Sequence, residues 1–228
     1  MRSEWVPVSA AALVTGVMAL VLGQMLNPGG SDTSPAGQML VAAAYPGRWL
    51  AMSILYFGGA AMLVLGMPAV MTLFQERRGR GLGIAGVTVF TVGCVGVGGL
   101  ASLMLMFRAL ALQATLTENG REIKMVTASL EDPGLSISLN VWVYGFLLGV
   151  LLMALGLFRS RVVPAWVPWL LIAFLALQVV MPFLEGTTAS RILAAVGLIL
   201  LAGGFTGIAT SAASPRSTIP VTHSLVRS

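Results

Sequence analysis

Six long apolar stretches constrain this chain more than any other feature of its sequence. They cover residues 6–26, 50–74, 82–107, 141–158, 165–184 and 192–210. A helix needs roughly 20 apolar residues to cross the hydrocarbon core of a bilayer, whereas the strands of an outer-membrane barrel are shorter and alternate in polarity. The pattern therefore predicts an all-α polytopic membrane bundle of six transmembrane helices within residues 1–210.

The composition agrees with a fold that uses lipid as part of its solvent. Charged residues make up only 9% of the chain, against about a quarter in soluble domains. The net charge of +5 would suit a nucleic-acid partner, but the basic residues are spread over the loops and do not gather on one face. We therefore expect the lipid bilayer, and no nucleic acid, to surround this chain.

The first apolar stretch lies where a secretory signal would lie. The apolar core of such a signal spans roughly 7–15 residues and is followed by small residues at a cleavage site. This stretch is longer, and the residues that follow it are Leu26, Asn27 and Pro28. We expect a retained first span.

The basic residues predict which ends of the spans face the cytoplasm, because cytoplasmic loops are enriched in Lys and Arg. With six spans, the side that carries the N-terminus has eight basic residues and the other side has five. The turns at 77–80 and 159–161 are short and densely basic, and all five tryptophans fall at predicted membrane boundaries. Both termini are therefore predicted to be cytoplasmic, in a plasma membrane, with 211–228 as a disordered tail.

Two loops on the predicted outer side are long. Residues 27–49 begin with Gly, Pro and Ser, which predicts irregular chain at the start of that loop. The second loop, 113–140, contains a stretch from Thr117 to Leu130 that fits a short surface helix. That stretch is either a lid or docking element, or a solvated connector.

Glycine is concentrated in three of the spans. The residues concerned are Gly145 and Gly149 in span four, Gly203 and Gly207 in span six, and Gly93, Gly96, Gly98 and Gly99 in span three. Small residues allow membrane helices to approach closely, within one bundle or between copies. Span three is open to two interpretations, a helix broken as in some transporters or a continuous helix in close contact. Pro68 is predicted to kink span two.

Several chemistries have no candidate residues in this sequence. His223 is the only histidine and lies in the tail, and no acidic residue falls at mid-span. These absences argue against an intramembrane protease, a bis-histidine haem site and a proton-coupled site. Cys94 is the only cysteine, and its apolar surroundings predict an inert thiol. We therefore expect no catalytic residue, metal or cofactor, and no enzymatic activity.

The strongest neutral hydrogen-bonding side chains within the spans all fall in the predicted outer half. They are Gln24, Tyr56, Tyr144 and Gln178, with Arg108, Glu185 and Arg191 at the outer rim. A side-chain amide in lipid needs a partner or water. One interpretation is a polar cluster and small cavity that opens outward between spans one, two, four and five. The other is that each side chain reaches the interface or bridges neighbouring helices.

Two basic turns that lead into apolar spans carry a resemblance to a group of proteins. The first is Arg77, Arg78, Gly79, Arg80, Gly81 and Leu82, and the second is Arg159, Ser160 and Arg161 with Pro164, Ala165 and Trp166. Together they resemble the small, uncharacterised multi-span membrane proteins of high-GC Gram-positive bacteria. The resemblance covers spans two to six and implies a bacterial plasma membrane, but it carries over no activity and no site residue.

Two functional interpretations follow from these patterns. The leading one is a non-enzymatic partner, accessory or sensory subunit, which binds a membrane protein partner or a second copy of itself. The alternative is a small-molecule or lipid transporter with an outward-facing polar cavity. A continuous span three in a dry bundle favours the first, and a broken span three beside a polar cavity favours the second.

Overall fold

Seven α-helices account for nearly all of the chain that the computed structural model describes, namely residues 5–29, 34–75, 78–114, 133–184 and 187–214, and no β-strand lies in those ranges. The helices are α1 (Trp5–Leu26), α2 (Pro35–Ala44), α3 (Pro46–Phe74), α4 (Arg80–Ala114), α5 (Pro133–Ser160), α6 (Trp166–Val180) and α7 (Thr188–Ala213). A short 3-10 turn, Met181–Leu184, continues α6. The predicted surface helix at Thr117–Leu130 and the tail beyond residue 214 lie outside the described residues.

The six helices other than α2 are each long and apolar enough to cross a membrane. Five of them contain a predicted apolar stretch in full, and α6 with its 3-10 turn, Trp166–Leu184, covers all but the first residue of the stretch at 165–184. The prediction of an all-α, six-span bundle is therefore confirmed. α4 runs without interruption from Arg80 to Ala114. The interpretation of span three as a broken helix is therefore wrong.

The spans form a closed ring in which each packs on the next along the chain, and α7 packs back on α1. α1, α4 and α6 finish at the same end of the ring as the short helix α2, and we refer to this as the α2 end. The middle of the bundle is filled by Phe90, Phe146, Phe174 and Phe205 from α4, α5, α6 and α7. The ring centroids of Phe90 lie 4.7 Å from Phe146 and 5.3 Å from Phe205.

Glycines set the closest helix contacts. A Cβ atom added at Gly16 of α1 would lie 2.7 Å from the backbone nitrogen of Leu63, so α1 and α3 touch along their backbones. On α4, a Cβ at Gly93 would overlap the backbone of Phe146 in α5. Gly93 was one of the glycines at which span three could have been broken. It instead allows the continuous helices α4 and α5 to pack closely, as small residues do in membrane proteins.

Helix α3 accommodates an internal proline, Pro68, with help from α1. The hydroxyl of Ser9 donates to the carbonyl oxygen of Leu65 at 2.6 Å and accepts from the backbone nitrogen of Ala69 at 3.3 Å. Those two backbone groups pair with each other in an uninterrupted α-helix. Ser9 therefore serves both groups where proline disturbs the ladder, as neighbouring hydroxyls do in membrane helices.

The loop at 27–49 contains a helix that the sequence analysis did not anticipate. Ser34 caps α2 by accepting a 3.1 Å hydrogen bond from the backbone nitrogen of Gly37, and Pro35 occupies its first turn. α4 has 35 residues and is about 50 Å long, so it extends beyond a hydrocarbon core of roughly 30 Å. α2 packs against that extension.

A second apolar core forms where α2 meets α3 and α4. It consists of Met39, Ala42, Trp49, Met52, Phe107 and Ala111. Trp49 is only 4% exposed, and its Nε1 donates to the carbonyl oxygen of Met104 at 2.8 Å. Trp49 is therefore covered by α2, and its predicted position at a membrane boundary stays a prediction.

Candidate functional site

A cavity of about 600 Å³ opens at the α2 end of the bundle, and we call it the vestibule. Its polar lining residues are Gln24, Asn27, Gly29, Gln38, Asn140, Tyr144, Gln178, Thr187, Ser190 and Arg191. A second space of about 360 Å³, the deep chamber, shares Gln24 and Gln178 with the vestibule and extends toward the middle of the bundle. Its apolar lining includes Leu20, Val97, Leu100, Phe146, Phe174 and Leu198. Volumes in this range are typical of small-molecule sites.

Gln24 and Tyr56 form a direct pair between α1 and α3. The hydroxyl of Tyr56 donates to Oε1 of Gln24 at 2.5 Å. Gly23 permits this contact, because a Cβ there would lie 3.3 Å from the Tyr56 ring. The two residues thus bridge neighbouring helices, and they also line the deep chamber.

Gln178 approaches the same spaces from α6. It is half-buried and lines both the vestibule and the deep chamber, and its Nε2 lies beside Gly197 of α7. Within the part of the chain that the structure describes, the side-chain amide of Gln178 has no hydrogen-bond partner. An amide left without a partner in apolar surroundings costs about 1–3 kcal/mol, so water or a bound polar group is favoured at this position.

Of the other three predicted site residues, two are described by the structure, and only Tyr144 of these lines the vestibule. Tyr144 of α5 lines the vestibule and is 66% exposed. Arg108 is not among the described lining residues; its Nε donates to the carbonyl oxygen of Pro46 at 2.9 Å, which ties α4 to the start of α3. Glu185 lies outside the described residues.

The cavity has more contributors than the four spans named from the sequence. α4 lines it through Met104, and α7 through Arg191 and Ser190. Arg191, which the sequence placed only at the rim, lies with its guanidinium against Gly29. Asn27 and Thr187 also line the vestibule, although the sequence pattern did not indicate them. They lie just outside helix ends, and the pattern concerned only polar residues within the apolar spans.

No acidic side chain and no cysteine is found among the described residues that line the two spaces. Among the described residues, no group of three His, Cys, Asp or Glu side chains is close enough to hold a metal ion. All eight acidic residues of the chain lie outside the described ranges. Cys94 is 1% exposed within the main apolar core, away from the lining of either space.

Fold and cavity together define a class: a six-span helical membrane protein with an amphipathic cavity at one end. No family profile, no curated protein and no solved structure matches the chain.

Proposed function

We propose that this chain is a non-enzymatic, ligand-binding membrane protein, an accessory or sensory subunit that holds a small amphipathic molecule at the α2 end. The observation that carries this proposal is the polarity of the cavity. Amides and hydroxyls line the vestibule, while Phe146, Phe174 and Leu198 line the deep chamber. A few polar groups above a mainly apolar pocket are the usual composition of a site that binds and orients a small molecule.

The orientation belongs to the same proposal. Arg78 and Arg80 at one turn, and Arg159 and Arg161 at another, are exposed at the end opposite α2. The two turns lie side by side, since a Cβ added at Gly79 would be 3.1 Å from Cβ of Arg159. Short basic turns favour the cytoplasmic side. The cavity then faces the outside of a bacterial plasma membrane, and both termini lie in the cytoplasm.

Transport of a small molecule or lipid is the second candidate, and the cavity is the observation that favours it. Two features favour static binding. α4 is continuous beside the cavity, whereas many transporters bind substrate at interrupted helices. The aromatic contacts of Phe90 with Phe146 and Phe205 fill the middle of the bundle below the deep chamber.

Purification of the full chain in mild detergent, followed by native mass spectrometry, tests the proposal. Ala194 lines both spaces, so Ala194→Phe is expected to fill the cavity and eliminate a small molecule that co-purifies with the wild-type chain. Ala176→Phe is the matched control, because Ala176 is exposed on α6 and lines neither space. A wild-type chain that carries nothing, or two variants that behave alike, would contradict ligand binding. Uptake of the identified molecule into proteoliposomes would favour the transporter.

A further inference from the structure

The one charged group at the mouth of the vestibule is a hydrogen-bond donor, among the residues that the structure describes. Arg191 is the single charged side chain among the described lining residues, and a guanidinium only donates. Oδ1 of Asn27 already accepts a 3.0 Å hydrogen bond from the backbone nitrogen of Gly29. Oε1 of Gln24 accepts from Tyr56. Each of these amide oxygens thus accepts one hydrogen bond within the protein, and both NH2 groups are available to donate to a ligand.

The hydroxyls beside Arg191 are occupied by the helix that carries them. Thr187 Oγ1 donates to the carbonyl oxygen of Leu184 at 2.6 Å and accepts from the backbone nitrogen of Ser190. Ser190 Oγ donates to the carbonyl oxygen of Thr187 at 2.8 Å. They cap α7 and leave Arg191 as the strongest group at the mouth. An anion is the ligand chemistry that such a set of donors favours.

Polarity changes with depth along α1, α6 and α7, three of the helices that line the cavity. Leu20 lies four residues below Gln24 on α1, and Phe174 lies four residues below Gln178 on α6, so both are about 6 Å deeper. Leu198 lies two turns below Arg191 on α7. The apolar surface begins directly beneath the donors, which suits a hydrocarbon chain attached to an anionic head group.

From these relationships we infer that the ligand is an anionic amphiphile whose head group binds Arg191 and whose hydrocarbon chain occupies the deep chamber. This inference rests on the proposed ligand-binding function. A bilayer lipid has the same order of depth, with its head group at the interface and its chain toward the midplane.

The wall formed by α5 provides access from the bilayer. Val143 and Tyr144 line the vestibule and are 47% and 66% exposed, so the α5 wall is not covered by another helix there. α5 and α6 also pack more loosely than the other neighbouring spans. An amphiphile therefore reaches the cavity sideways, with its head group remaining at the level of the interface.

Photolabelling of the full chain in phosphatidylcholine nanodiscs tests the inference. Two lysolipid probes carry the same diazirine-bearing chain, one with an anionic phosphoglycerol head and the other with a zwitterionic phosphocholine head. We expect the anionic probe to label deep-chamber residues such as Leu100 and Leu198 roughly tenfold more than the zwitterionic probe. One charge-assisted hydrogen bond changes binding affinity by roughly this factor. Arg191→Gln is expected to abolish this preference, and Arg191→Lys to retain most of it. Arg80→Gln at the opposite end is the matched control and leaves the preference intact.

The outcomes separate this inference from the proposed function. Equal labelling of the deep chamber by both probes, unchanged in Arg191→Gln, would overturn the anionic ligand and leave the binding function standing. Labelling confined to lipid-facing residues would overturn both. An excess of inorganic phosphate at constant ionic strength is expected to leave the labelling unaltered; full displacement of the anionic probe would show that a free anion suffices. Unchanged thermal midpoints of the variants guard against misfolding.

Discussion

The hydroxyl of Tyr56 lies 2.5 Å from Oε1 of Gln24, and this hydrogen bond joins α1 to α3 at the edge of the deep chamber. The same two helices also approach each other closely at glycines such as Gly16 and are joined by the Ser9 hydroxyl near Pro68. The Gln24–Tyr56 pair is therefore a second polar contact in an interface that is otherwise closely packed. It also aligns the Gln24 amide so that its nitrogen is left for a ligand.

Removal of this hydrogen bond is expected to lower stability modestly. Tyr56→Phe deletes the donor and leaves the Gln24 oxygen without it, at a cost of about 1 kcal/mol in the free energy of unfolding. Thermal unfolding in detergent measures the change. Tyr144→Phe is the control, because the Tyr144 hydroxyl has no hydrogen bond within the described part of the chain and its side chain is exposed. Equal losses in the two variants would mean that the Gln24 pair contributes nothing specific.

Ser9 is expected to matter because of Pro68. Ser9→Ala removes a hydroxyl that serves the carbonyl of Leu65 and the N–H of Ala69. Leaving a buried backbone group without a partner costs about 1–3 kcal/mol, and unfolding of the detergent-solubilised chain should register a loss of that size.

A double-mutant cycle isolates the reason for that cost. Pro68→Ala restores an N–H that can donate to the carbonyl of Val64 and removes the proline ring, so the α3 ladder can close and Ala69 can pair with Leu65. The cost of Ser9→Ala is then expected to shrink in the Pro68→Ala background. If the two costs simply add, the hydroxyl does not act through the proline, and the account of this contact is wrong.

Gly149 and Gly145 are one GxxxG pair with unequal roles. A Cβ at Gly149 would overlap the backbone of Phe90, whereas one at Gly145 would lie 3.8 Å from Gly93, an ordinary contact. Gly149→Ala is therefore expected to destabilise the bundle by about 1–3 kcal/mol through overpacking. Gly145→Ala should be neutral in the same unfolding assay. A neutral Gly149→Ala would show that α4 and α5 do not approach as closely as the structure places them, and equal destabilisation by both variants would show that the loss does not come from the contact with Phe90.

The spans could be predicted because hydropathy reports which segments enter lipid, but hydropathy does not report where a helix ends. α5 begins at Pro133, eight residues before the apolar stretch at 141, because Ser136, Ser138 and Asn140 interrupt the apolar run without ending the helix. α2 was missed although Ser34 and Pro35 form a helix start signal. Its burial depends on the extension of α4 beyond the bilayer, which hydropathy does not show.

The candidate site was partly accessible for a different physical reason. Amides within apolar spans need partners, which singled out Gln24 and Gln178 before any geometry was known. Which of the other polar residues face the cavity depends on how each helix is rotated about its axis. Arg108 has a backbone carbonyl as its partner, and backbone partners leave no signature in a sequence. Arg191 joined the cavity because the start of α7 lies against Gly29.

The proposed orientation makes a prediction that the single native cysteine simplifies. Cys94 is 1% exposed, so a maleimide is expected to leave it unmodified until the chain unfolds. Labelling of an introduced cysteine can therefore be measured in the native sequence without replacing Cys94. Thr187→Cys, at the mouth of the vestibule, should react with a membrane-impermeant maleimide added to intact cells. Arg161→Cys, in the basic turn at the opposite end, should react only after the cells are permeabilised. The reverse pattern would place the α2 end in the cytoplasm. The cavity would then take its ligand from the inner leaflet, even though the basic turns would lie on the side that Lys and Arg normally avoid.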